Sequence, residues 1–356
     1  MSDRKTVLVT GAAGTVGGYA TALAEAAGYR VIASDRRAKG LREPVRGALR
    51  VGDIRDRDFA ERAMEGVDHV LHTAAVVDAD ARAEELSTIN TEGVAVLYEA
   101  ARKVGVDRFL HVSTAMLYDP EFAGALTEGA PAAPRGAHAM SKHAAETYLR
   151  GQESGPVWTI VRPAPLYGRR GRHFAAALLS IGPLLRLSTP VLPRPSGGPR
   201  GTMVHAEDVA RALLFLLDRR EAERETFNVS DGDVLALGDR IGQTLDAYSL
   251  RSFSAGPLWG PSLRLIGRFF DRPTTHGAAD AAALNAWRMV VLRHGLKPAL
   301  RPRLTREALS LLYSDLEVDS GRLRGLGWTP RFGRFMDGWR AVLRWYQAER
   351  WVPRYD

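Results

Sequence analysis

Short apolar runs alternate with alanine-rich stretches along the first half of the chain. Residues 5–10 form a brief β-rich run, broken by glycines and followed by a helix-competent segment over 16–27. Further strands are expected at 30–34, closed by Asp35, and at 48–51, 68–71, 108–112 and 157–161. Helices are expected at 81–104, rich in Ala and Glu, and at 141–150. The strand runs are nearly all apolar rather than alternating, as in strands covered by helices on both faces. Such strand–helix repetition predicts βαβ units and an α/β, doubly wound parallel sheet. The texture changes near residue 165. Pro and Gly gather at 182–201, which predicts loops. An amphipathic helix at 206–217 predicts a return to the first domain, and from about 231 the chain reads as mostly helical. The expected layout is one domain over 1–165, rejoined by 202–230, and a smaller, mostly helical lobe over 166–201 and 231–356.

Composition narrows the class. The chain has 356 residues, 45% hydrophobic and 25% charged, an ordinary globular profile. The 49 Lys and Arg against 41 Asp and Glu leave a net charge of +8. The arginines are scattered among acids, so a nucleic-acid partner is not expected. Cysteine is absent, which excludes disulfides and thiolate chemistry. No run approaches the ~18 apolar residues of a membrane span, and the N-terminal run is too short for a signal peptide. A cytoplasmic protein with no integral membrane contact is the expectation.

The chemistry begins at Thr10. Gly11-Ala12-Ala13-Gly14-Thr15-Val16-Gly17 is a Gly-x-x-Gly-x-x-Gly loop between a strand and a helix. Glycines permit the tight turn and bring backbone N–H groups to a pyrophosphate, whose charge then lies at the helix N-terminus. Asp35 closes the second strand 18 positions after Gly17, where a carboxylate can accept both hydroxyls of an adenosine ribose. Asp53, in Gly52-Asp53-Ile54, closes the third strand, where an acid can meet the adenine amino group. Together these predict a Rossmann-type dinucleotide-binding domain. Asp35 favours NAD, since a 2′-phosphate would meet a like charge there. Arg36 and Arg37 follow and could pair with such a phosphate, so NADP stays possible.

Ordered motifs then carry a resemblance. His72-Thr73-Ala74-Ala75, Asn90 with Gly93, His111–Tyr118, Arg162-Pro163-Ala164-Pro165-Leu166-Tyr167-Gly168, Val204–Ala210, Phe227-Asn228-Val229 and Leu326–Pro330 follow one another with the family's spacing. The chain resembles the extended short-chain dehydrogenase/reductase family, of the NAD-dependent epimerase/dehydratase kind. With Leu304-Thr305-Arg306 before an apolar helix, its C-terminal region is most similar to the 3β-hydroxysteroid dehydrogenase-like branch. The resemblance implies cofactor contacts from Gly11, Ala13, Gly14, Thr15, Val16, Gly17, Asp35, Arg36, Asp53, Ile54, Thr73, Ala74, Ala75, Lys142 and Pro163. It also implies a homodimer pairing helices at about 81–104 and 138–151. The family's catalytic Tyr-x-x-x-Lys does not occur. Lys142 fits the lysine, Thr114 fits the family's Ser/Thr, and His138 stands where the tyrosine belongs, one helical turn before Lys142.

Three readings of His138 stay open. It replaces the tyrosine as acid/base, suited to neutral pH by an ordinary pKa near ~6.5 and by a neutral ring that can still donate one N–H to a carbonyl. Or the redox step is lost and the protein isomerises, eliminates or senses with a bound nucleotide. Or His138 is a solvated helix-start residue. Tyr118 and Tyr167 read as packing residues and His205, at a helix start, as a residue that caps or packs. The nine histidines show no metal-ligand spacing, and no Gly-x-Ser-x-Gly elbow suggests a hydrolase. In the lobe, Leu258-Trp259 and the 263–270 run read as packing, as a lid over an apolar substrate, or as a membrane-surface patch. Arg169-Arg170-Gly171-Arg172 is either an anion contact or a solvated turn. The expected activity is hydride exchange at a secondary alcohol or ketone of a bulky small molecule.

Overall fold

The computed structural model describes residues 4–41, 47–77, 82–172, 174–259, 262–263, 265, 269–270, 273–302, 312 and 314–355. In chain order the first half runs β1 (Thr6–Thr10), α1 (Thr15–Ala26), β2 (Arg30–Asp35), β3 (Ala48–Val51), α2 (Arg57–Met64) and β4 (His69–His72). It continues through α3 (Ala83–Ser87), a π-turn (Thr88–Glu92), α4 (Gly93–Val104), β5 (Arg108–Val112), α5 (Ala137–Arg150) and β6 (Val157–Pro163). Then come β7 (Leu166–Tyr167), α6 (Phe174–Leu185), β8 (Leu192–Ser196), β9 (Arg200–Gly201), β10 (Val204–His205) and α7 (Ala206–Leu217). β11 (Glu225–Val229), β12 (Leu235–Ala236), α8 (Leu237–Ala247) and β13 (Ser252–Pro257) precede the helices Pro273–His294, Gly321–Gly325 and Phe335–Ala348.

Seven parallel strands make the main sheet, ordered β11-β6-β5-β4-β1-β2-β3. This is the doubly wound Rossmann-type sheet that the strand–helix alternation predicts. The chain reverses its winding direction between β1 and β4, where ligands bind open α/β sheets at the carboxyl ends of strands. Alternation within a strand divides the core. Val7 and Val9 join α1 and α7 on one face, while Leu8 joins α2, α4 and α5 on the other. β3 is the sheet's edge, and its Leu49 and Val51 are exposed accordingly. A third apolar cluster, with Trp287, Trp339, Tyr167 and Tyr346, forms the lobe. Leu316, Val318, Leu323 and Trp328 pack instead into the sheet's α1–α7 face.

Three boundaries depart from expectation. The 81–104 helix is not uniform: the described helix starts at Ala83 and opens into the π-turn at Thr88–Glu92. α5 begins at Ala137, one turn earlier than residue 141, because Gly136 at φ 86° turns the chain into the helix. The 182–201 stretch is not all loop. α6 carries Pro183 inside it, and Leu192-Pro-Arg-Pro-Ser pairs with β13 as a two-stranded parallel sheet. Prolines at alternate positions leave the intervening N–H groups for the ladder, and Leu192 donates to the Arg251 carbonyl. Leu304–Arg306 lies outside the described residues.

One buried ion pair ties α5 to β6. Glu146, fully buried, takes a two-pronged bond from Arg162 at 2.9 and 2.6 Å and a third contact from Arg150 at 3.0 Å. Arg162 also donates to the Tyr118 hydroxyl, which bonds Asn228. Glu146→Gln leaves two guanidiniums without their counter-charge. It should cost ~3–5 kcal/mol in denaturant unfolding; a loss under ~1 kcal/mol would show that the pair is not structural.

Candidate active site

The glycine-rich loop follows β1 and is shaped by close backbone approach. Gly11 adopts φ +68°, and a Cβ there would lie 2.7 Å from the Ala74 backbone. A Cβ on Gly17 would lie 2.1 Å from the Gly11 carbonyl oxygen. Thr73 fastens the turn, its hydroxyl donating to the Thr10 carbonyl at 2.7 Å. α1 opens at Gly14 with no side-chain cap and no acid in its first turn. Its leading N–H groups and the positive end of its dipole are therefore left to an external anion. A dinucleotide pyrophosphate fits this cradle. Thr15 begins the helix, and the Val16 side chain is buried in the core.

The two acids stand at the ends of their strands. Asp35 ends β2, and its Oδ2 accepts from the Ala13 N–H at 3.1 Å, so it braces the loop as well as facing it. Asp53 is held by Arg55, whose backbone N–H and Nε reach one oxygen and Nη2 the other. These bonds hold its carboxyl below the usual range, and Arg36 adds to the effect. Ile54 is buried against Gly93 rather than open to the cleft. Ala74 lies beneath Gly11, Ala75 follows it, and Pro163 closes β6 at the same end of the sheet.

Thr114, His138 and Lys142 come from β5's carboxyl end and from the first turns of α5. Lys142 is buried and donates to the Val112 carbonyl at 2.7 Å. Burial pushes it down to about 8, against the opposing attraction of Glu146. Thr114, two residues past Val112, accepts from the Met116 N–H at 3.1 Å and keeps its own hydroxyl proton to give. The neighbouring Ser113 hydroxyl is buried without a partner among the described residues. His138 Nδ1 lies 3.2 Å from the Val76 carbonyl. A carbonyl only accepts, so this contact is a hydrogen bond when Nδ1 carries the proton. The N–H expected for a substrate carbonyl is thus spent on the backbone, and in the neutral ring Nε2 carries the lone pair. His205 caps α7 by accepting from Glu207 N–H, while Tyr118 and Tyr167 sit in the core, as expected.

Comparison with known proteins identifies the family. Residues 7–230 match the model of the NAD dependent epimerase/dehydratase family. The chain belongs to that family. Ceramide reductase of Caulobacter vibrioides is 26% identical over 361 residues, spanning 99% of this chain and 97% of that protein. The dTDP-D-glucose 4,6-dehydratase of Mus musculus is 30% identical over 64% of this chain and 68% of its own length. A solved UDP-glucose 4-epimerase from Thermus thermophilus, in complex with NAD, superposes with a TM-score of 0.67. That pair is 25% identical and covers 96% and 99% of the two chains. NAD is the cofactor of this family, as Asp35 and the glycine loop led us to expect.

Two features of this family member escaped the sequence. Asn90, in the π-turn, both donates to the Val76 carbonyl and accepts from its N–H, and also donates to Ser141. It therefore fixes the carbonyl that His138 meets and the helix that carries Lys142. His72 and His111 stack at 5.3 Å beside Lys142. Desolvation, then Lys142, drives His72 down to about 3 and His111 well below its ordinary value. Both are therefore neutral at pH 7. Placing β4 beside β5 would have revealed this pair, because His72 and His111 are in register.

The burial of Lys142 predicts a trade of stability for chemistry. Below pH 8 the lysine is protonated in both folded and unfolded chains, and the folding penalty is constant. Between about 8 and the ordinary 10.5 the folded chain loses the proton first and the penalty shrinks. Lys142→Met should raise stability at pH 7 by an amount on the order of 3 kcal/mol, and this gain should fade as pH rises toward 10.5. Thermal melts of the cofactor-free protein across pH check this; a destabilised variant at pH 7 would contradict it.

Proposed function

We propose that this chain is an oxidoreductase acting on the secondary alcohol or ketone of a bulky, apolar molecule, with Thr114, His138 and Lys142 as its proton-transfer site. The convergence of His138, Asn90 and the 73–76 segment on the Val76 carbonyl carries the reading. What supports it is an imidazole held at the Val76 carbonyl, one helical turn before a buried lysine that bonds the Val112 carbonyl, two residues before Thr114. The glycine loop, Asp35, Asp53 and the 73–75 segment would hold the dinucleotide, with Lys142 on the nicotinamide ribose. When bound, the cofactor supplies hydride exchange.

The chain's own residues manage the proton. Thr114 donates to the substrate oxygen and fixes it. Lys142 stabilises negative charge developing there. With Nδ1–H on Val76, alcohol oxidation needs the neutral ring, whose Nε2 accepts the hydroxyl proton. Ketone reduction needs the imidazolium, which returns that proton to the new alkoxide. Because an imidazole is shorter than a phenol, the substrate sits nearer α5 or reaches the ring through one water.

The lobe supports an apolar substrate. Phe253, Trp259, Leu265, Phe269, Met289 and Leu292 are all exposed there. The ceramide reductase alignment runs through this lobe, and the 3β-hydroxysteroid dehydrogenase-like resemblance of the C-terminal region points the same way. By analogy with its family we also infer a cytoplasmic homodimer pairing α3–α4 with α5 across a twofold axis. A second reading, epimerisation or dehydration of a sugar nucleotide, is favoured by the dehydratase and epimerase relatives.

Following nicotinamide absorbance with NADH and a ceramide oxidised to its ketone, beside UDP-glucose assayed for epimerisation or dehydration, separates the two. We expect turnover of the ketone alone; conversion of the sugar nucleotide would replace this proposal with the second reading. His138→Ala should lower ketone turnover ~10²–10⁴-fold with NADH binding retained. Unchanged turnover in His138→Ala would remove the imidazole from the mechanism.

A further inference from the structure

A cavity in the lobe shares no residue with the cofactor cradle or the proton-transfer site. It has a volume of about 160 Å³ and is lined by Pro183, Arg186, Leu187, Arg293, His294 and Tyr355. Arg186 follows the last turn of α6, and Arg293 and His294 end the helix Pro273–His294. Tyr355 packs edge-on against His294 and Tyr248, with ring centroids 5.6 and 5.9 Å away. Its hydroxyl is buried and, among the described residues, has no hydrogen-bond partner. Neither Arg186 nor Arg293 forms an ion pair among the described residues. Glu349, at the end of the helix preceding Tyr355, is bound to Lys297 instead.

We propose that this cavity binds a phosphate group, held by Arg186, Arg293 and the Tyr355 hydroxyl. The physical case is one of unmet demand. A buried phenol O–H without an acceptor carries a desolvation cost that an incoming oxyanion would remove. Two guanidiniums line the same space and both act electrostatically on the Tyr355 phenol, so their charge converges where that acceptor would sit. A carboxylate is satisfied by a single guanidinium fork; two forks and a phenol match the three outward oxygens of a phosphate. Pro183 and Leu187 supply an apolar wall. Leu292, 76% exposed, precedes Arg293 on the same helix, and Met289 lies one turn before. The group can thus arrive as free phosphate or as the headgroup of a phospholipid whose chains meet Leu292 and Met289.

The test uses the full chain saturated with NADH, so that the cofactor cradle cannot take the phosphate. Inorganic phosphate is titrated by calorimetry into the native protein, the double variant Arg186→Gln/Arg293→Gln, and Tyr355→Phe. In parallel, the three proteins are cosedimented with phosphatidylcholine vesicles with and without phosphatidic acid. The double variant should bind at least about tenfold more weakly, in line with loss of charged hydrogen bonds, and Tyr355→Phe should weaken binding to a smaller extent. NADH affinity should be unchanged in both. Binding of inorganic phosphate identifies a free-phosphate site; cosedimentation dependent on phosphatidic acid and on the two arginines identifies a headgroup site. Absence of both, or equal binding by native and variant proteins, overturns the proposal.

Discussion

A turn with no room for side chains governs the rest of this structure. Gly17 presses against the Gly11 carbonyl, and Gly11 against the Ala74 backbone, so the loop after β1 lies directly on the segment after β4. That contact fixes where α1 begins and aims its open N–H groups at the sheet's winding reversal. The segment beneath the loop, residues 73–76, continues to the Val76 carbonyl, where Asn90 and His138 converge. The phosphate cradle and the proposed proton-transfer site are therefore two ends of one short piece of backbone. A side chain at position 11 or 17 would disturb both.

Polar groups are buried here at a cost that the fold offsets elsewhere. Among the described residues Lys142 has one hydrogen bond for its three donors, and His72 and His111 are stacked beside it without charge. Such a site destabilises the empty protein and becomes favourable only when a ligand supplies acceptors. The compensating order lies one helical turn away, where Glu146 joins α5 to Arg162 on β6 and Tyr118 completes the network. α5 is thus gripped at its middle by an ion pair while its first turns bear His138 and Lys142, the residues proposed to carry the chemistry.

Much of this was legible in the sequence because it rests on local signals. β5 and α7 have the boundaries that their apolar patterns predict, and the glycine spacing located the cradle. What escaped was set by partners distant in sequence. The π-turn carries Asn90, and no propensity encodes its bonds to Val76 and Ser141. The direction of the His138 ring depends on a carbonyl 62 residues away, so its position could be read but not which ring nitrogen meets that carbonyl. The proline-rich β8 misled for the opposite reason. Proline removes donors, but at alternate positions it leaves those that pair with β13.

The cradle at the winding reversal is built to hold NAD, and Asp35 would exclude a 2′-phosphate from it. Titration of the purified protein with NADH and with NADPH, followed by nicotinamide fluorescence, tests it most directly. We predict saturable NADH binding at least about tenfold tighter than NADPH binding, the discrimination expected from one like-charge contact. Failure of both to bind would contradict the cradle itself. Tighter binding of NADPH would contradict the role of Asp35 and transfer selectivity to Arg36 and Arg37.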